Sequence, residues 1–152
     1  MASVPEARKQ RHPYDAEEKF ALIYLRRENG EKKVEWKDCV LRWRDLFPPN
    51  QPRRYKHSTP QERRGLPETY PWRDTQGLQC RFYRIRTDAG LPRTRDVSSL
   101  GGTDTPAARA AYAHENRQLE KMAVEKRLDP EFVAMVKRVA SRNYVPRSLY
   151  KV

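Results

Sequence analysis

Arg73-Asp74-Thr75-Gln76-Gly77-Leu78-Gln79-Cys80-Arg81-Phe82-Tyr83-Arg84-Ile85-Arg86-Thr87-Asp88-Ala89-Gly90 is the stretch whose reading decides the fold. Leu78, Phe82, Ile85 and Ala89 recur at i, i+4, i+7 and i+11, and at about 100° per residue they share one narrow face of a helix. That face requires a core to bury against. Gly90 is free to take positive φ just past the helix end, and Leu91-Pro92 stops it. Gln76, Cys80, Tyr83 and Arg84 point away from the stripe, with Gln79, Arg81 and Arg86 on its flanks. Such a basic, amide-bearing, aromatic face suits a helix in a DNA major groove, where Arg donates to phosphate or guanine and Gln pairs with adenine. Its bland reading is a solvated surface rich in Arg.

Two more helices are predicted ahead of it. Asp15 caps the first, and Glu18, three residues on, reaches back in a capping box. Ala16, Phe20, Ile23, Tyr24 and Arg27 form its inward stripe, Leu22 and Leu25 give it a second, partly buried side, and Glu28-Asn29-Gly30 ends it. In the second, Trp36, Val40, Trp43 and Phe47 repeat the i, i+4, i+7, i+11 spacing, Cys39 and Leu46 widen the stripe, and Pro48-Pro49 closes it. Aromatic rings bury about 150 to 250 Å² each, so Trp43 and Phe47 are expected in the core. Residues 48–72, rich in Pro, Arg and Tyr, are expected to form an extended loop without regular structure, with Tyr70-Pro71-Trp72 packed back over the helices.

Tyr14-Asp15-Ala16-Glu17-Glu18-Lys19 resembles the aromatic, x, x, Glu, Glu opening of the first helix of Myb and SANT domains. Trp36-Lys37-Asp38-Cys39-Val40 resembles the opening of their second helix. Arg73 lies five residues before Leu78 and nine before Phe82, the spacing of the Arg, buried Cys and buried Trp of their third. The resemblance covers residues 14–90, with a long insertion between helices two and three. It implies a homeodomain-like helix-turn-helix bundle in which Tyr14, Trp36 and Phe82 pack together. It also places Gln79 and Cys80 at base-reading positions, with Tyr83 just past the buried aromatic.

Beyond Pro92 the composition reads as a linker to residue 104. Thr105-Pro106 opens an Ala-rich helix running to about Arg127, with a thin stripe of Tyr112, Leu119, Met122 and Ala123. Asp129-Pro130 opens another, with Phe132, Met135, Val136, Val139 and Asn143 on one apolar face. This hairpin, residues 105–145, either docks on the first three helices or presents Phe132, Val136 and Val139 to a protein partner.

The charge of the 152-residue chain is unevenly spread. Residues 1–40 carry 9 basic against 8 acidic groups, 41–100 carry 13 against 6, and 101–152 carry 10 against 6. The excess surrounds the 73–90 helix, and nucleic acid is the commonest polyanion for such a patch; acidic protein tails and anionic lipid answer the same field. Residues 1–13 read as a disordered basic arm and 146–152 as a tail. Cys39 is expected in the core, and His12, His57 and His114 are scattered singletons, so no metal site is expected. With no phosphate loop, nucleophile motif or membrane-length apolar run, the expectation is a protein without enzymatic activity, cofactor, small-molecule substrate or membrane partner. The sequence therefore predicts an all-α nuclear, Myb-like DNA-binding protein. Its contacts to double-stranded DNA are assigned to Arg73, Gln76, Gln79, Arg81, Tyr83, Arg84 and Arg86. Its core aromatics are Tyr14, Phe20, Trp36, Trp43, Phe47 and Phe82. The alternative is a non-catalytic protein-interaction subunit of a chromatin or other nucleic-acid assembly, RNA-associated assemblies included.

Overall fold

The structure, a computed structural model, describes residues 12–29, 36–92, 105–141 and 143–147. Among these residues the fold is all-α, with six helices and no strand: α1 (Ala16–Asn29), α2 (Trp36–Leu46), α3 (Pro60–Arg63), α4 (Thr75–Asp88), α5 (Pro106–Glu125) and α6 (Pro130–Ala140). The predicted arm over residues 1–11, most of the linker, residues 93–104, and the tail from residue 148 lie outside the described residues.

α1 is the centre of the molecule, touched by α2, α4, α5 and α6. Ala21, Leu22, Ile23 and Leu25 are therefore fully buried along with Phe20. The sequence assigned Leu22 and Leu25 only partial burial, because a 3.6-residue stripe describes a helix with one covered side and α1 is covered nearly all round. Tyr14, Phe20, Trp43, Phe47 and Phe82 are buried, and Trp36 packs half-buried against them. The expected Tyr14–Trp36–Phe82 grouping is replaced by two ring pairs. Trp36 meets Phe82 edge-on at 5.3 Å, and Tyr14 lies against Trp43 at 5.8 Å.

Helix α1 begins on the predicted capping box: Asp15 Oδ1 accepts from the Glu18 N–H at 2.8 Å, and Glu18 Oε1 accepts from the Asp15 N–H at 3.0 Å. Because α1 is central, both carboxylates are carried into the interior and need cations. Arg53 Nη1 donates to Asp15 Oδ2 at 2.8 Å and also to Glu18 Oε1. Arg73 donates twice to Glu18 Oε2, from Nε at 3.0 Å and Nη2 at 2.9 Å. The knot joins the start of α1, the insertion, and the residue ahead of the α4 cap. Burial, and then repulsion from Glu18, raises the Asp15 carboxyl to about 6.

The insertion is more ordered than expected. The Asn50 N–H donates to the Tyr70 carbonyl and the Tyr70 N–H to the Gln51 carbonyl, both at 2.9 Å, and the Arg53 N–H reaches the Glu68 carbonyl at 3.0 Å. These bonds flank an isolated bridge between Pro52 and Thr69. Inside the closed loop, Thr59 caps the short α3 through the Glu62 N–H at 3.2 Å, with Pro60 in its first turn. Tyr70 packs back as predicted, its ring 5.2 Å from Phe47, whereas Trp72 stays 56% exposed beneath the Arg44 guanidinium at 3.7 Å.

The C-terminal hairpin docks on the other helices, with α6 lying across α1 and α2. Phe132, Val136 and Val139, assigned to a protein partner, are buried inside the chain, Phe132 with its ring 5.9 Å from Phe47. α6 stops at Ala140, so Asn143 is not part of its apolar face. Its end is capped from outside, by Arg42 of α2 donating to the Val139 carbonyl, to the Ser141 carbonyl at 2.8 Å and to the Tyr144 carbonyl at 3.4 Å. Tyr112, expected in the α5 stripe, is 47% exposed, while Leu119 of the same stripe is buried.

Glu18→Ala would leave two buried guanidinium groups without their shared anion, a loss of about 3–5 kcal/mol. Urea unfolding should show that loss as a lower midpoint at unchanged slope. A change under about 1 kcal/mol would mean that the knot does not hold the bundle together.

Candidate nucleic-acid interface

Helix α4 is fixed at both ends and along one side, which sets what its other side can do. Asp74 caps it by accepting from the Gly77 N–H at 2.7 Å. A Cβ at residue 77 would lie 3.0 Å from that same carboxylate oxygen, so a larger residue there would have to push the capping carboxylate aside by a few tenths of an ångström. Leu78, Phe82 and Ile85 are buried, as their spacing predicts. Past the helix, Gly90 takes φ +78°, the left-handed conformation its position in the sequence suggested.

The seven predicted contact residues divide into two groups. Gln76, Gln79, Arg81, Tyr83 and Arg84 stand exposed on the outer side of α4, with Cys80 among them. Arg73 and Arg86 do not belong with them and are corrections to the predicted set. Arg73 is 7% exposed, spent on Glu18 and on the carbonyls of His12 at 3.1 Å and Pro13 at 3.0 Å. Arg86 is 4% exposed, pairs with Glu115 of α5 at 2.6 Å and donates to the Pro92 carbonyl at 2.8 Å. A buried ion pair is far too costly to open for a phosphate contact that merely replaces it. Arg86 was read as a flank of the helix; the carboxylate that draws it inward lies 29 residues away in sequence.

The exposed face carries two arginines. Arg84 pairs with Asp88 at 3.4 Å, both groups more than half exposed, an interaction of about 0–1 kcal/mol that a phosphate can displace. Arg81 lies with its guanidinium 5.7 Å from the Tyr14 ring. Tyr83 is 49% exposed, its ring edge-on to Phe82 at 5.3 Å. Asp74 and Asp88 mark the two ends of the face. This arrangement can donate hydrogen bonds to phosphate from Arg81 and Arg84 and offer amide and phenol groups between them.

The fold and this face define an all-α protein with an outward amide, aromatic and arginine surface on one helix. No protein-family model, curated protein or solved structure matches the chain. No helix among the described residues is long and apolar enough to cross a membrane, and no group of three or more metal-ligating side chains occurs among them. Cys39 is buried, and burial raises its thiol above the ordinary value.

Sequence reasoning missed a second polar feature, on the far side of the capping box. Glu17 has a side chain only 5% exposed, and its Oε1 makes no hydrogen bond; Arg54 Nε is 3.9 Å away. Burial raises its carboxyl to about 7, with Arg54 pulling it down and Asp15, Asp129 and Glu18 pushing it up. Arg54 is held in place by donation to the Leu46 carbonyl and by contact with the Phe132 ring at 5.2 Å. Three acids in Asp15-Ala16-Glu17-Glu18, opening a helix that must be buried, were the available signal. They call for cations from elsewhere, and the insertion supplies them in Arg53 and Arg54.

Because Glu17 rises from 4.5 to about 7 on folding, the native chain holds its proton more tightly than the unfolded one. Stability therefore falls as pH rises from about 4.5 to 7, by roughly 3 kcal/mol from this group. Glu17→Gln should melt several degrees higher than the parent at pH 8 and level with it at pH 4.5. Equal melting temperatures at pH 8 would contradict the buried, unsatisfied placement of this carboxylate.

Proposed function

We propose that the protein binds double-stranded DNA by laying α4 in the major groove, as a nuclear, Myb-like transcription or chromatin-associated factor. The observation that carries this reading is the two-sidedness of α4. Gln76, Gln79, Arg81, Tyr83 and Arg84 share the exposed side of a helix whose other side is anchored by Leu78, Phe82 and Ile85. A 14-residue helix is about 21 Å long, and the groove, about 12 Å wide, admits it. Arg81 and Arg84 neutralise phosphates or reach guanine, Gln76 and Gln79 read base edges, and Tyr83 contacts sugar or thymine methyl. The resemblance of residues 14–90 to Myb and SANT openings supports the same choice. The buried Arg73 and Arg86 serve the reading by orienting the helix, not by touching DNA.

A second reading, a protein-interaction subunit of a chromatin or other nucleic-acid assembly, draws on the exposed Tyr112 and Val124 of α5. The burial of Phe132, Val136 and Val139 takes away its main support.

Arg81→Ala with Arg84→Ala is expected to weaken duplex binding and to flatten the dependence of log K on log salt by about two units, near 0.9 for each phosphate no longer neutralised. Arg86→Gln with Glu115→Gln, which removes the buried pair at no change in net charge, should leave that slope where it is. Fluorescence anisotropy on random duplexes over a salt series reads both. A double alanine variant with the parental slope and affinity would rule the α4 interface out.

A further inference from the structure

Trp72 is the largest aromatic side chain left exposed among the described residues, in a run whose other ring, Tyr70, is buried. It is also held still. On one side the Tyr70 backbone is paired with Asn50 and Gln51, the Tyr70 hydroxyl accepts from the Arg54 N–H at 3.0 Å, and Pro71 has a fixed φ. On the other side Arg73 is locked onto Glu18. The Arg44 guanidinium, 3.7 Å from the ring centre, closes one face of the indole, and Arg44 is itself buried and donates to the Arg73 carbonyl at 3.0 Å. The open area is therefore the opposite face and the ring edges, an aromatic plane with little freedom left to lose on binding.

The charge behind the ring selects what the open face takes. An ammonium or guanidinium group there would face Arg44 across the thickness of the indole, so the cation–π position is already filled and a second cation is repelled. The Asp74 carboxylate, which also acts on Arg44, is turned to the amino end of α4, where it accepts from the Gly77 N–H. A flat, neutral nucleobase meets no such repulsion and covers the plane. Cations for its phosphates are close by. The Arg81 guanidinium lies 5.7 Å from the Tyr14 ring, the Arg73 guanidinium covers that ring at 3.7 Å, and Arg73 adjoins Trp72. Arg81 is exposed, and Arg84 stands exposed about one turn further along α4.

We propose that Trp72 is a stacking platform for an unpaired base of a single-stranded nucleic acid, with the phosphates of the strand running to Arg81 and Arg84. This goes beyond the groove contact of α4, because a base inside a duplex has both faces covered by its neighbours.

Titration of the full chain with a short oligodeoxyadenylate and with an abasic strand of the same length tests the assignment, since the two carry the same phosphates. The base-bearing strand should bind about tenfold more tightly, as one stacked base supplies, and should quench tryptophan emission where the abasic strand does not. Trp72→Leu, which keeps Arg44 covered but has no ring, should remove both the tenfold preference and the quenching; Trp72→Tyr should keep most of the preference. Arg81→Ala with Arg84→Ala should weaken both strands alike and leave their ratio unchanged. Ribose and deoxyribose strands present the same base face, so the tighter of oligoadenylate and oligodeoxyadenylate names the source. Circular duplex DNA, without ends or unpaired bases, should bind Trp72→Leu as tightly as the parent. The proposal is overturned if the abasic strand binds as tightly as the base-bearing one, as it would if the ring docks a protein side chain, or if Trp72→Leu keeps the preference. Loss of circular-duplex binding in Trp72→Leu would also overturn it, making Trp72 a groove contact. The α4 duplex reading fails separately, on the salt dependence of the Arg81 and Arg84 variant.

Discussion

Glu18 accepts hydrogen bonds from two guanidinium groups that come from distant parts of the chain, Arg53 in the insertion and Arg73 just ahead of α4, while it also closes the capping box of α1. A carboxylate with no exposed surface and four donated hydrogen bonds is satisfied only when all of these segments are in place. The arrangement is therefore a register for the fold: α1 cannot be buried without the insertion, and α4 cannot start where it does without α1. Arg73 also ties the segment ahead of α1 into the knot, through the carbonyls of His12 and Pro13. Hydrophobic contact supplies most of the driving force and tolerates sliding, whereas paired buried charges do not.

Buried arginine is the recurring device of this molecule. Arg42 closes the end of α6, Arg44 donates to the Arg73 carbonyl at 3.0 Å, Arg53 and Arg73 hold Glu18, and Arg86 ties α4 to α5 through Glu115. The high net charge of the sequence is thus in part structural, and it does not all face solvent. This matters for function, because the basic surface available to a polyanion is smaller than the count of arginines suggests. On α4 it comes down to Arg81 and Arg84.

Much of the fold was legible from periodicity and punctuation. The capping box at Asp15 and Glu18, the stripe through Leu78, Phe82 and Ile85, the positive φ of Gly90, and the caps at Thr105 and Asp129 follow from rules that act within a few residues. The exposed part of the candidate interface, Gln76, Gln79, Arg81, Tyr83 and Arg84, was legible for the same reason. Helical spacing fixes which side chains oppose an apolar stripe. The insertion was misread because its order comes from the pairing of its two ends through Tyr70 and Glu68 and not from any local pattern.

Local sequence thus determined which segments are helical, where they start and stop, and which side of each seeks a core. Tertiary structure alone decided that α1 is enclosed on nearly all sides, that α6 is used inside the chain, and that Arg73 and Arg86 are withdrawn from solvent while Arg81 and Arg84 are left out. The physical reason is that a charge on a helix flank is balanced between water and a buried counter-charge. Glu18 and Glu115, the groups that tip Arg73 and Arg86 inward, lie 55 and 29 residues away along the chain.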